Sequence, residues 1–189
     1  MELQQHILDF TKALATGEIE IYNEFSLQHE LGLYLRAHLE DYRIQFERNV
    51  SHFNLHKSDL YKREIDIVVI SKDRTINHSA IELKFPRNGQ VPETMFSFCT
   101  DIAFLEQLVA GGFQSAYFLA VVDHPHFYTG KPDGIYGLFR NGQTISGRIV
   151  KPTGAKDREI IIKGSYTAQW LPISDDMKCC LVQVETGHA

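Results

Sequence analysis

The chain has 189 residues, 43% of them hydrophobic and 11% aromatic, and a formal net charge of −5 at neutral pH. That length and apolar content suit one soluble domain with a substantial core and exclude a low-complexity or disordered chain. Three cysteines, two of them adjacent, exclude a disulfide framework, no apolar run approaches a membrane span, and Met1-Glu2-Leu3-Gln4-Gln5 lacks a basic signal-peptide start, so cytoplasmic residence is expected.

Leu3, Ile7, Phe10 and Leu14 recur at helical spacing before Gly17 and predict an amphipathic first helix. A second helix is predicted from Ser26 to Glu40, with Ser26 as N-cap and Leu27, Leu31, Tyr34, Leu35 and Leu39 as its apolar stripe. Glu30 stands one turn from both Leu27 and Tyr34, on or beside that stripe. It reads either as a boundary glutamate reaching solvent or as a carboxylate carried toward a site. Arg43–Val50 alternates apolar and polar, as a half-buried strand should, and a polar connection from Ser51 to Lys62 follows.

Two strand-like runs come next, Arg63–Ile70 and His78–Phe85, joined by the turn-like segment Ser71-Lys72-Asp73-Arg74-Thr75. Each run carries charge in an otherwise apolar middle: Asp66 in the first, Glu82 and Lys84 in the second. Unpaired charge is expensive to bury in a core strand, so these groups must be paired, solvated in a cleft or bound to a metal. A turn centred on Arg74 places Asp66 opposite Glu82 on one face. Lys84 shares that face, while Ile81, Leu83 and Phe85 point the other way. Two carboxylates with the Leu83 carbonyl make a hard, all-oxygen site suited to Mg²⁺ or Mn²⁺ rather than zinc. The plainer reading is a cross-strand acid–base pair on a solvated sheet face, which the apolar flanks disfavour.

Pro92 precedes a predicted helix from Glu93 to Ala110, with Phe98, Ile102, Leu105 and Val109 as its stripe and Gly111-Gly112 as its stop. Asp101 and Gln107 read as ordinary solvated positions on it. Ala116–Val122 is a continuous apolar run, the pattern of a strand buried on both faces. Beyond it, Arg140-Asn141-Gly142-Gln143 predicts a type I′ hairpin between Ile135–Phe139 and Thr144–Val150. Glu159–Lys163 and Lys178–Val184 are further strand candidates. The pairs His52/His56 and His124/His126 lack a third ligand at sensible spacing and read as incidental.

A helix bearing Glu30, a strand bearing Asp66 and a strand bearing Glu82-Leu83-Lys84 resemble the PD-(D/E)xK, or restriction-endonuclease-like, nuclease superfamily. The resemblance covers about residues 20 to 123, and the proline that names the motif is Ile65 here. It implies an α/β fold, a mixed sheet flanked by helices, whose core is a helix, a three-stranded meander, a second helix and another strand. Length and composition suit a single 1–189 domain, and the strand candidates after that core make a β-rich C-terminal extension from about 134 to 185. The resemblance further implies Mg²⁺-dependent hydrolysis of nucleic-acid phosphodiesters, with DNA as the expected partner. Asp66, Glu82 and the Leu83 carbonyl would bind the metal, Lys84 would position or activate the water, and Glu30 would support the metal shell. A nuclease-like subgroup carries Gln-x-x-x-Tyr on the later helix, but Gln107 is followed four places on by Gly111. The alternatives are a non-cleaving binding or assembly subunit and a small protein-interaction domain. A net charge of −5 is not that of an avid nucleic-acid binder and points to weak affinity or dependence on a partner subunit. A homodimer is the other assembly left open. Lys57, Lys62, Arg63, Lys84 and Arg87 supply the local positive charge near the expected cleft.

Overall fold

The computed structural model describes residues 3–87, 89–154 and 158–185. Helix α1 spans Leu3–Ala15 and α2 spans Glu24–His38. Leu3, Ile7, Phe10 and Leu14 are all buried, as the stripe requires. α2 begins before the expected Ser26 cap. Asn23 is the N-cap: its side chain accepts the Ser26 amide, and the Ser26 hydroxyl accepts the Asn23 amide in return. Ser26 thus serves as the reciprocal half of a capping box.

Strands β1 (Tyr42–Asn49), β2 (Glu64–Ser71) and β3 (Asn77–Lys84) form an antiparallel meander. The β2–β3 turn is built by side chains. Ser71 Oγ accepts the Thr75 and Ile76 amides, Asp73 also accepts from Thr75, and Arg74 takes the left-handed region at φ 64°. Helix α3 (Val91–Ala110) returns the chain so that β4 (Ser115–Val122) lies parallel to β3. Together with β7 (Trp170–Pro172) and β8 (Lys178–Glu185), the sheet has six strands in the order β1-β2-β3-β4-β8-β7. The architecture is mixed α/β, a mostly antiparallel central sheet flanked by helices.

The two faces carry separate cores. Ile7 and Phe10 of α1 and Leu27, Leu31 and Leu35 of α2 pack with Ile67, Val69, Ile81 and Leu83. Phe98, Ile102 and Leu105 of α3 pack with Val68, Ala80 and Phe118 on the other face. Each such fully buried side chain stabilises by roughly 1.5–3 kcal/mol relative to exposure. Gly32 brings α2 close over β1, because a Cβ there would lie 2.1 Å from the Phe46 ring.

The C-terminal region departs from expectation at one place. Ile135–Arg140 is a short helix, α4, and not the first strand of a hairpin. A type I′ turn needs positive φ at both central residues. Here Asn141 has φ −121° and only Gly142, at 59°, is left-handed. Tertiary contacts favour the helix: Phe139 is buried edge-on against Phe98, and the Trp170 indole donates to the Phe139 carbonyl at 2.8 Å. The hairpin forms one element later, where β5 (Thr144–Val150) pairs antiparallel with β6 (Glu159–Thr167). β8 pairs with β4 along its whole length, so the expected extension beyond residue 134 contributes a strand to the central sheet itself. No described helix is long and apolar enough to cross a membrane.

Candidate functional site

Ile67 faces Ile81 and Val68 faces Ala80, a register that carries Asp66 to a position opposite Glu82. The register shift between Val69 and Ile70 is absorbed next to the turn and does not reach Asp66. Ile81, Leu83 and Phe85 join the α2-side core. Alternation therefore leaves Glu82 and Lys84 on the α3 side of the sheet.

There the side chains form a connected cluster. Glu82 is wholly buried at 0% exposure, and Asp101 of α3 is 2% exposed. The Lys62 ammonium pairs with Glu82 Oε2 and lies 3.0 Å from Asp101 Oδ1. Lys84 Nζ donates to the Leu83 carbonyl at 2.9 Å and lies 3.3 Å from Asp101 Oδ2 and 3.5 Å from Glu24 Oε1. Asp66 Oδ2 accepts the Leu83 amide at 2.7 Å, and Glu24 Oε2 accepts the Phe85 amide at 3.1 Å. Asp66, Glu82, Leu83 and Lys84 are thus brought together as the sequence predicts.

Glu30 is not part of this cluster: it is half-buried on α2 and makes none of the cluster's hydrogen bonds or ion pairs. The carboxylate that α2 supplies is Glu24, at the first turn, with Gln28 one turn on. An α-helix advances about 100° per residue, so Glu30 projects roughly 160° away from Gln28. Asp101, expected on a solvated face, is buried, and Lys62, expected near the cleft, lies inside the cluster between Glu82 and Asp101. Asp101 lies three residues after Phe98 and four before Leu105, so it sits within the apolar stripe rather than opposite it. That spacing was the available signal.

The backbone around Asp66 is also specialised. Glu47, on the neighbouring β1, holds a left-handed φ of 48°. For a residue with a side chain this costs on the order of 1–3 kcal/mol and persists only where the surroundings hold it. Gln28 supplies the hold: its amide donates to Glu47 Oε1 at 2.6 Å and to the Asp66 carbonyl at 2.8 Å. The Asp66 amide points toward Glu82 Oε1 at 3.4 Å. Gln28 therefore acts on the site by orienting the Asp66 peptide.

Burial and crowding set the electrostatics. Burial pushes the Asp66 carboxyl up to about 6, against the pull of Lys62, the Leu83 amide and Lys84. Burial also raises the Glu82 carboxyl well above the usual carboxylate range, and the neighbouring Asp66 charge adds to it, with Lys62 opposing. For Lys62 and Lys84 burial favours the neutral amine but is outweighed. Glu82 and Asp101 hold Lys62 charged, and Asp101 and Glu24 hold Lys84 charged.

The donor set suits a hard divalent ion. Glu24, Asp66, Glu82 and Asp101 face two ammonium groups, so two negative charges of the ionised cluster lack a counter-charge. Asp101 Oδ2 is buried without a hydrogen bond. Among the described residues no three His, Cys, Asp or Glu side chains are grouped as a ligand set. Mg²⁺ does not require one, since it commonly keeps several waters and takes one or two carboxylates. Of the five basic residues expected near the cleft, three are engaged with carboxylates: Lys62, Lys84 and Arg87, the last with Asp123. Lys57 and Arg63 are exposed. No family model, curated protein or solved structure matches the chain.

Proposed function

We propose that this chain is a Mg²⁺-dependent nuclease with a restriction-endonuclease-like core, hydrolysing nucleic-acid phosphodiesters, DNA first among them. The observation that carries the reading is the convergence of Asp66, buried Glu82 and Lys84 on one face of two paired strands, with Lys84 Nζ beside the Leu83 carbonyl. The run α2-β1-β2-β3-α3-β4 supports it, because helix, three-strand meander, helix and strand is the order the resemblance implies. Full burial of Glu82 disfavours a solvated surface pair.

Asp66, Glu82 and the Leu83 carbonyl would hold the ion, which when bound polarises a phosphoryl oxygen and lowers the pKa of water. Asp66 is oriented for that role by the Leu83 amide on one oxygen, leaving the other free. Lys84, charged and fixed between Asp101 and Glu24, offers N–H donors where negative charge grows on the attacked phosphorus group. Glu24 and Asp101 position Lys84 and do not meet the substrate. A specific observation favours a second reading, a non-cleaving binding or assembly subunit: the Lys62 ammonium already sits on Glu82.

Cleavage of single- and double-stranded DNA and RNA, assayed with Mg²⁺, with Mn²⁺ and with EDTA, separates the two. Metal-dependent, EDTA-sensitive product is expected from at least one DNA form. Binding without cleavage under every metal condition would establish the non-cleaving subunit instead.

The helix carboxylate gives a second expected outcome. Glu24→Gln weakens the hold on Lys84 and should lower the single-turnover rate about 10–100-fold, as for other groups that orient a reacting residue. Glu30→Gln should stay within about twofold of wild type and within about 0.5 kcal/mol in stability. A large rate loss for Glu30→Gln with none for Glu24→Gln would reverse the assignment.

A further inference from the structure

We propose that Lys62 is the metal-free site's own counter-cation: its ammonium occupies the place on Glu82 that a divalent ion takes, and ion binding displaces it onto Asp101. This rests on the nuclease reading above for the nature of the ion. Lys62 Nζ is seated on Glu82 Oε2 and lies 3.0 Å from Asp101 Oδ1. Glu82 has no solvent exposure, so its ionised form requires a cationic partner within the protein whenever no ion is bound. Mg²⁺ needs its oxygen ligands at about 2.0–2.1 Å in octahedral array, and an ammonium in contact with the same oxygen blocks that approach.

Lys62 also differs in origin from the rest of the cluster. Asp66, Glu82 and Lys84 come from strands fixed by sheet pairing. Lys62 comes from the connection before β2, outside every ladder. Its side chain is 27% exposed, against 16% for Lys84, so it has the freer path out. The backbone beneath it is pinned. Gln107 Oε1 accepts the Tyr61 amide at 2.9 Å, and Gln107 Nε2 donates to the Asp59 carbonyl at 3.0 Å. The Tyr61 hydroxyl accepts the Ile161 amide at 3.2 Å. The exchange is therefore a swing of one flexible four-carbon stem, with no movement of the chain. Asp101 Oδ1 is already within reach and receives the ammonium when Glu82 is taken.

Calorimetric titration of Mn²⁺ into wild type, Lys62→Gln and Lys62→Met tests this. Removing a competing positive charge at contact distance should tighten Mn²⁺ binding about tenfold or more. The metal-free variants should melt below metal-free wild type, and saturating Mn²⁺ should close the gap. Wild type binding Mn²⁺ while both variants bind it equally or more weakly would overturn the proposal and leave the metal reading standing. No Mn²⁺ binding by any of the three proteins would remove the metal reading and this proposal with it. If neither variant folds, wild type alone decides. Amine-reactive labelling of Lys62, mapped by mass spectrometry against the exposed Lys12, should rise on adding Mn²⁺, because a divalent charge beside the displaced ammonium favours the reactive neutral amine. Unchanged labelling would show that ion binding leaves Lys62 undisturbed and would overturn the proposal.

Discussion

Asp66→Asn is expected to lose divalent-ion binding and phosphodiester cleavage together, while the fold survives. The carboxamide keeps an oxygen that can accept the Leu83 amide, so the cross-strand bond at 2.7 Å can be retained. What disappears is the negative charge, and with it one of the two carboxylates on the ion. The loss of binding is read by calorimetry with Mn²⁺. The same residue sets a pH dependence. Its carboxyl in the metal-free protein is raised to about 6 from an ordinary value of 3.8. A group raised on folding stabilises the metal-free protein below its unfolded value, and that contribution is lost as pH rises through about 6. Metal binding requires the ionised form, so Mn²⁺ affinity should rise across pH 5 to 7 with proton release, and the increase in melting temperature on adding Mn²⁺ should grow over the same window. An increase that is flat from pH 5 to 7.5, or Asp66→Asn binding Mn²⁺ as wild type does, would take Asp66 out of the ligand set.

Lys84→Ala should leave Mn²⁺ binding intact, or slightly tighter, and reduce cleavage by about 10²–10³-fold, the loss typical of removing one positioned donor to developing charge. The separation of the two effects is the informative part. Lys84 touches the Leu83 carbonyl, Asp101 and Glu24, but neither Asp66 nor Glu82. Its removal leaves Asp101 with Lys62 alone, so a lower melting temperature is also expected, and Lys84→Met, with nearly the same length, controls for lost packing. Single-turnover cleavage at saturating Mg²⁺ gives the rate. Cleavage by Lys84→Ala within twofold of wild type would mean that the ammonium serves only to neutralise Asp101.

Much of this site could be read from local pattern. Asp66, Glu82 and Lys84 lie in short strands of period two joined by a turn whose centre is fixed by Ser71 and Asp73, so sequence spacing sets their register. The first helix, α3 and the buried β4 were equally legible, because their stripes are long and regular. What escaped depended on tertiary contact. Glu24 and Glu30 are both glutamates on one helix, and which of them reaches the site depends on which face of α2 meets Asp66 and Lys84, the face carrying Glu24 and Gln28. Asp101 looked solvated because its two lysine partners lie far away in sequence. Ile135–Arg140 became a helix because Phe98 and Trp170 were waiting for Phe139, and no turn propensity of Asn141-Gly142 can register that.

The placement of β8 has a consequence for how the protein is made. During synthesis from the N-terminus, β1 to β4 and their helices emerge first and can assemble the acidic cluster. One long edge of β4, from Ser115 to Val122, must then wait until Lys178–Glu185 leaves the ribosome, after α4 and the β5–β6 hairpin. From Ala116 to Val122 that edge is apolar and β-prone, with Tyr117, Phe118, Leu119, Val121 and Val122, and charge appears only past its end, at Asp123. The nascent chain therefore passes through a stage with this apolar strand paired on one side only, and the closing strand covers an edge open to intermolecular pairing as it completes the sheet.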